Sequence, residues 1–125
     1  MIKAEVSTMH EFALIEGVMG IVRDSALQNN IRRVERIKLV VGKLSMALPD
    51  SLQFAFEAIK AGEELFRQAD LEIEEKEIVC RCGQCHQSFA VEDSVSFICP
   101  HCGSVNIEII QGRELYIDCY EGEEC

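Results

Sequence analysis

Cys80-Arg81-Cys82-Gly83-Gln84-Cys85-His86, answered by Cys99-Pro100-His101-Cys102-Gly103-Ser104, holds five of the chain's seven cysteines. Two Cys-x-x-Cys pairs, Cys82/Cys85 and Cys99/Cys102, stand apart by the 13 residues 86–98. Each pair turns tightly enough to offer two sulfurs to one ion, and two such knuckles on adjacent hairpins complete a tetrahedron of thiolates. Soft sulfur donors in that geometry select zinc, and less readily iron. Gly103 supplies the permissive backbone that such a turn favours, and Pro100 stiffens it. A redox dithiol, a rubredoxin-like iron site and incidental cysteines are the alternatives. A disulfide framework is disfavoured, because the count is odd and the cysteines are clustered.

The other metal-capable side chains of the stretch stand beside this set. Cys80 lies two residues before Cys82 and reads as a strand-end thiol, since Cys82 with Cys85 reproduces the spacing of the second pair. His86 and His101 flank ligands, but an all-thiolate set needs neither. With four positions filled, none is left for the water of a hydrolytic zinc. Gly-x-x-x-x-Gly-Lys-Ser/Thr, His-Glu-x-x-His and Gly-x-Ser-x-Gly are all missing from the chain, so the sequence points to a protein that is not an enzyme. Cys119 is expected on the inward face of the last strand, and Cys125 to be exposed near a terminus.

Upstream, Ile15, Val18, Met19, Val22 and Ala26 recur at spacings of three and four, the stripe of an amphipathic helix from Phe12 to Asn29. Thr8 and Glu11 are three apart just ahead of it and read as a capping box. Ile37, Leu39 and Val41 alternate in a β-branched strand over 34–42. Leu48-Pro49-Asp50-Ser51 marks a second helix start, with Gln53 three residues after Asp50; Leu52, Ala55, Phe56 and Ile59 give its stripe, ending near Gly62. Leu71 to about Val79 alternates as a strand, and so does 115–119. This order predicts an α+β fold: two helices on a three-stranded sheet, with an inserted zinc-ribbon-like four-cysteine module. The expected division is 1–79 plus 112–125 for the α+β domain and 80–111 for the module. About 32 residues are too few for an apolar core alone, and metal binding can contribute on the order of 10–16 kcal/mol.

The chain has 125 residues and a net charge of −10, which excludes a large multidomain enzyme and makes nucleic acid a poor partner. No apolar run approaches the roughly 20 residues needed to cross a bilayer, and the N-terminus lacks a secretory pattern. A soluble, cytoplasmic protein is expected, without membrane or nucleic-acid partners. A zinc ribbon that binds a protein or a nucleic acid is the alternative reading.

Met9-His10-Glu11 opening a helix, followed by an α+β domain and paired knuckles with Cys-Pro-x-Cys-Gly-Ser, resembles the HypA/HybF family of hydrogenase-maturation nickel metallochaperones. Gly42-Lys43-Leu44, Leu52-x-x-x-Phe56 and Gln111-Gly112-Arg113-Glu114-Leu115 extend the resemblance, which covers residues 9 to about 120. It implies transported Ni(II) and a structural Zn(II). It also implies a HypB-type GTPase and the hydrogenase large subunit as partners, in some organisms the urease accessory proteins, and it admits a homodimer. By the same resemblance His10 is the side-chain nickel ligand and Met9 and Glu11 contribute main-chain nitrogens, Glu11 also orienting the site, while Cys82, Cys85, Cys99 and Cys102 hold zinc. The family's Met-His-Glu is normally its own N-terminus, whereas eight residues precede Met9 here. Either translation begins at Met9, or the extension is removed, or nickel binds with fewer protein nitrogens and more water.

Overall fold

The structure is a computed structural model that describes the backbone of residues 2–92 and 97–124 and the side chains of 10–92 and 97–122. The expectation for Cys125, and any role of the Met9 side chain, lie outside the described residues. The architecture is α+β: α1 (Ile2–Gln28), β1 (Ile31–Gly42), α2 (Pro49–Lys60), β2 (Asp70–Lys76), β3 (Ile78–Cys82), β4 (Ser88–Val91), β5 (Ile107–Gln111) and β6 (Leu115–Glu124). The strands form two three-stranded sheets, ordered β2-β1-β6 and β4-β3-β5. Two compact units result, one of 1–39, 47–73 and 117–125, the other of 40–46 and 74–116. The contacts thus gather 40–46, 74–79 and 112–116 around the cysteines, in addition to the 80–111 marked by the sequence.

In the first unit the apolar stripe of α1 behaves as its spacing demands: Ile15, Val18, Met19, Val22 and Ala26 are all buried. α1 packs against α2, whose Leu52, Ala55 and Phe56 are also buried, as are Val34, Ile37 and Leu39 of β1. Each large side chain removed from water in this way contributes about 1.5–3 kcal/mol. Asn30, at φ 56, ends α1 in the left-handed conformation that asparagine tolerates, and Asn29 Nδ2 donates to the Ser25 carbonyl at 2.8 Å. Charges face away from this core: Arg36 reaches Glu72 at 2.8 Å and Glu121 at 3.2 Å, and Lys38 lies 3.6 Å from Asp118.

Three local expectations are corrected. The helix start expected at Thr8 is moved, because α1 runs from Ile2 and Glu11 Oε2 accepts from Leu48 N–H, while the Thr8 side chain lies outside the described residues. The helix start read at 48–51 stands, with Leu48 as the N-cap of α2 and no side-chain capping bond of its own, and Gln53 Nε2 donates to the Leu71 carbonyl at 2.6 Å. The strand expected from Leu71 to Val79 is two strands in different sheets, parted at Glu77, whose carbonyl accepts from Gln111 Nε2 and whose carboxylate pairs with Lys43 Nζ at 2.8 Å. Cys119 is exposed, not inward. Tyr120 is the β6 side chain that meets α1, its hydroxyl lying 2.7 Å from Ser25 Oγ, and strand alternation then turns Cys119 the other way.

In the second unit β3 is central and antiparallel to both neighbours. Its core is small: Ile78, Cys80 and Val91, with Leu44, Phe89, Phe97, Ile107 and Ile109 packed against them. Leu44 reaches that core because the chain at 42–44 is fastened to the turn before β6. Gly42 N–H donates to the Glu114 carbonyl at 2.7 Å, and Leu44 N–H to the Gly112 carbonyl at 2.8 Å. The two backbones touch at Gly42, where a Cβ would overlap the Gly112 carbonyl. Gly112 itself sits at φ 126, which side-chain-bearing residues rarely adopt. Gly42→Ala is therefore expected to destabilise the protein by about 2 kcal/mol or more, through forced separation of these strands. Denaturant unfolding checks this, and a midpoint equal to that of the parent would show that the approach can relax.

Candidate metal centre

β3 carries Ile78, Cys80 and Cys82 on one face, by the two-residue period of a strand. Cys80 is wholly buried in the core, where burial pushes its thiol above the ordinary range. Cys82 is at the strand end, where the chain turns into the first knuckle. Cys82 N–H donates to the Gln87 carbonyl at 2.9 Å and His86 N–H returns to the Cys82 carbonyl at 3.0 Å. The second knuckle repeats the pattern: Cys99 N–H donates to the Ser104 carbonyl at 3.0 Å, and Gly103 N–H to the Cys99 carbonyl at 2.9 Å. The residue after each second cysteine is left-handed, His86 at φ 63 and Gly103 at φ 76. Gly83 N–H donates to the Asn106 carbonyl at 2.8 Å, tying the first knuckle to the residue that leads into β5.

These turns bring the sulfurs of Cys82, Cys85, Cys99 and Cys102 within 4.8 Å of one another. The closest approaches pair one sulfur from each knuckle, Cys82 with Cys102 and Cys85 with Cys99, both at 3.5 Å. An ion bound at about 2.3 Å from four tetrahedral sulfurs would hold them about 3.8 Å apart, so the spacing fits a metal of that kind. Main-chain N–H groups already point at the sulfurs: Gln84 and Cys85 toward Cys82 at 3.3 and 3.5 Å, His101 toward Cys99 at 3.4 Å.

The acidities follow from this crowding. The Cys85 amide, together with that of Gln84, draws the Cys82 thiol down to about 6 against the desolvation that opposes ionisation. Cys99 is also lowered, by the Cys102 and His101 amides working against burial. The Ser104 amide pulls Cys102 down, but sharing a proton with Cys82 and desolvation outweigh it and push that thiol up to about 12. Four adjacent sulfurs cannot all ionise unless a cation joins them, and a cation would lower every thiol at once.

Among the described residues, this is the group of His, Cys, Asp and Glu whose ligand atoms converge in the manner of a metal site. His86 and His101 are exposed and stand outside it, as does Cys80. Of the Met9-His10-Glu11 motif, His10 is exposed on α1, in the first unit. Glu11 is buried, 2% exposed, and its Oε2 accepts from Leu48 N–H at 2.7 Å. That contact was not legible in the sequence, where Leu48-Pro49 signalled only a helix start.

With so few buried apolar side chains among the described residues of the second unit, a metal on the four sulfurs would couple its binding to the folding of the unit. Cys99→Ser is expected to abolish stoichiometric metal binding and unfold the second unit, while the helical signal of α1 and α2 persists. Metal analysis with circular dichroism reads both, and a metal-free variant with a native spectrum would contradict the assignment.

Residues 9–122 match the family model described as "Hydrogenase/urease nickel incorporation, metallochaperone, hypA". The hydrogenase maturation factor HypA of Moorella thermoacetica is 44% identical over 115 residues, covering 92% of this chain and 100% of that protein. The HypA of Lawsonia intracellularis is 38% identical over 119 residues, covering 92% and 100%. Among solved structures, the solution structure of a HypA protein aligns with a TM-score of 0.67 at 24% identity, covering 91% of this chain and 96% of that one. The nickel metallochaperone HypA of Helicobacter pylori aligns with a TM-score of 0.62 at 22% identity, covering 91% and 97%; at such identities the likeness is one of fold. The match over 9–122 and the 44% identity of a whole relative place the chain in the HypA family of nickel-incorporation metallochaperones, which are not enzymes.

Proposed function

We propose that the protein carries Ni(II) on the turn of α1 that bears Met9-His10-Glu11 and delivers it for maturation of [NiFe]-hydrogenase, with a structural Zn(II) held by Cys82, Cys85, Cys99 and Cys102. The family match over residues 9–122 is the observation that carries this reading. The donor chemistry supports the division of metals: imidazole and nitrogen donors suit nickel, and a closed set of thiolates suits zinc. The zinc supplies charge balance for four crowded sulfurs and staples the second unit. Delivery proceeds through a HypB-type GTPase to the hydrogenase large subunit, and urease is a second destination consistent with the family's description.

Helix geometry limits how nickel is held. In an α-helix each N–H bonds the carbonyl four residues back, so with α1 beginning at Ile2 the His10 and Glu11 amides face residues 6 and 7. A helix leaves only its first four N–H groups unpaired. His10 therefore offers its exposed imidazole directly, while the main-chain nitrogens of 9–11 become available only when the turns before them open. A chain beginning at Met9 would present those nitrogens, with a terminal amine, in a first turn that needs no opening.

Two outcomes follow. His10→Ala should remove nickel binding in calorimetry and leave zinc content and circular dichroism unchanged; unaltered nickel affinity in that variant would overturn the assignment of His10. A chain starting at Met9 should bind nickel more tightly than the 125-residue chain. Equal affinities would show that nickel uses no main-chain nitrogen of this turn.

A further inference from the structure

β6 is the last strand of the sheet β2-β1-β6, so it has a strand neighbour on one side only. Its stretch within the first unit, 117–124, contains no proline, and none of the described side chains from Ile117 to Glu121 is buried. An edge of this kind offers a row of backbone donors and acceptors to another strand. The opposite edge is covered. Gln53 Nε2 of α2 donates to the Leu71 carbonyl of β2 at 2.6 Å, and Lys60 Nζ donates to the carbonyl of Ala69, just before that strand, at 2.9 Å. Among the described residues no side chain of either helix is bonded to the backbone of β6; the Tyr120 hydroxyl, 2.7 Å from Ser25 Oγ, ties the strand to α1 through side chains alone.

The charges across this sheet form rows. Arg36 on β1 reaches Glu72 on β2 at 2.8 Å and Glu121 on β6 at 3.2 Å, and Lys38 on β1 lies 3.6 Å from Asp118 on β6. In both rows the base stands on β1 and the acid on β6, so the alternation of sign ends on a carboxylate at the outer edge. β6 as a whole carries Asp118, Glu121, Glu123 and Glu124 and no Lys or Arg. Opposite charges at facing positions of neighbouring strands attract, and like charges repel. A fourth strand that continues the rows therefore brings Lys or Arg to β6. A second copy of this chain does not meet that condition, because two β6 edges set acid against acid and each chain has a net charge of −10.

We propose that the outer edge of β6, over 117–124, is a docking site for a partner protein that adds an extended basic segment as a fourth strand. Main-chain hydrogen bonds supply the affinity, and Asp118 and Glu121 supply the preference for Lys or Arg. The site uses neither His10 nor the four cysteines, so it stands apart from the reading of the metals.

The test uses the full chain, zinc-loaded, and three capped eight-residue peptides: four Lys-Val repeats, four Glu-Val repeats, and the Lys-Val peptide N-methylated at every residue. N-methylation keeps the charge and removes the backbone donors, so it separates strand addition from attraction to an acidic surface. The Lys-Val peptide should bind about tenfold tighter than either of the others in calorimetry, the equivalent of a few favourable cross-strand pairs, and it should slow hydrogen exchange of β6 amides. Glu121→Gln should weaken it about threefold with an unchanged circular dichroism spectrum, and Glu121→Lys should shift the preference toward the Glu-Val peptide. Glu72→Gln, on the covered edge, should leave the binding of every peptide as it is.

Equal binding of the N-methylated peptide, or equal losses in Glu72→Gln and Glu121→Gln, would show attraction to the acidic surface at large and overturn the proposal. So would a Glu-Val peptide that binds as tightly as the Lys-Val peptide, or no binding of either. A sedimenting dimer that the Lys-Val peptide does not dissociate, with β6 amides already protected in it, would give the edge to a second copy of this chain instead.

Discussion

Four thiols held within 4.8 Å of one another are the constraint on which the second unit depends. Sulfurs at that spacing repel once ionised, and main-chain amides aimed at Cys82 and Cys99 already favour the ionised form. A divalent cation would resolve the conflict by making the repelling sulfurs a ligand set. Among the described residues the apolar core of the unit is Ile78, Cys80 and Val91 with five partly buried neighbours, and a core of that size gains from a staple. The antiparallel strands, the paired turns and the left-handed residues at His86 and Gly103 present the sulfurs. The bound ion would hold the presentation together.

The first unit is built on a different principle, an apolar core shared by two helices and a sheet. Its helices bury a continuous stripe from Ile15 to Ala26 against Leu52, Ala55 and Phe56, and the sheet completes the core. On the proposed assignment, a metal on the exposed His10 would sit outside that core and could leave without disturbing it. A carrier has to give up its cargo, so the proposed site of one imidazole, main-chain nitrogens and water would suit transfer, and a closed thiolate set would suit retention.

Much of this was legible in the sequence, and the failures are instructive. The two apolar stripes and the paired knuckles were readable because periodicity and ligand spacing are local properties. The position of Cys82 rather than Cys80 in the cluster was readable from the repeated Cys-x-x-Cys spacing, and the strand explains it by turning Cys80 into the core. What failed depends on contacts far along the chain. Thr8 and Glu11 have capping-box spacing, yet Glu11 caps a helix 37 residues further on. The alternation from Leu71 to Val79 looks continuous, yet Glu77 is claimed by Gln111 and Lys43 and the chain changes sheet there. Cys119 alternates correctly with Leu115 and Ile117, but the inward register of β6 is set by the Tyr120–Ser25 contact.

That nickel and zinc occupy separate sites with different donors is tested most directly by X-ray absorption at the nickel edge, on full-length protein carrying both metals. A nickel shell of nitrogen and oxygen that includes imidazole scattering, with no sulfur, is the expected result. Sulfur in the nickel shell would mean that nickel enters the thiolate cluster, and it would contradict the division of metals between His10 and the four cysteines.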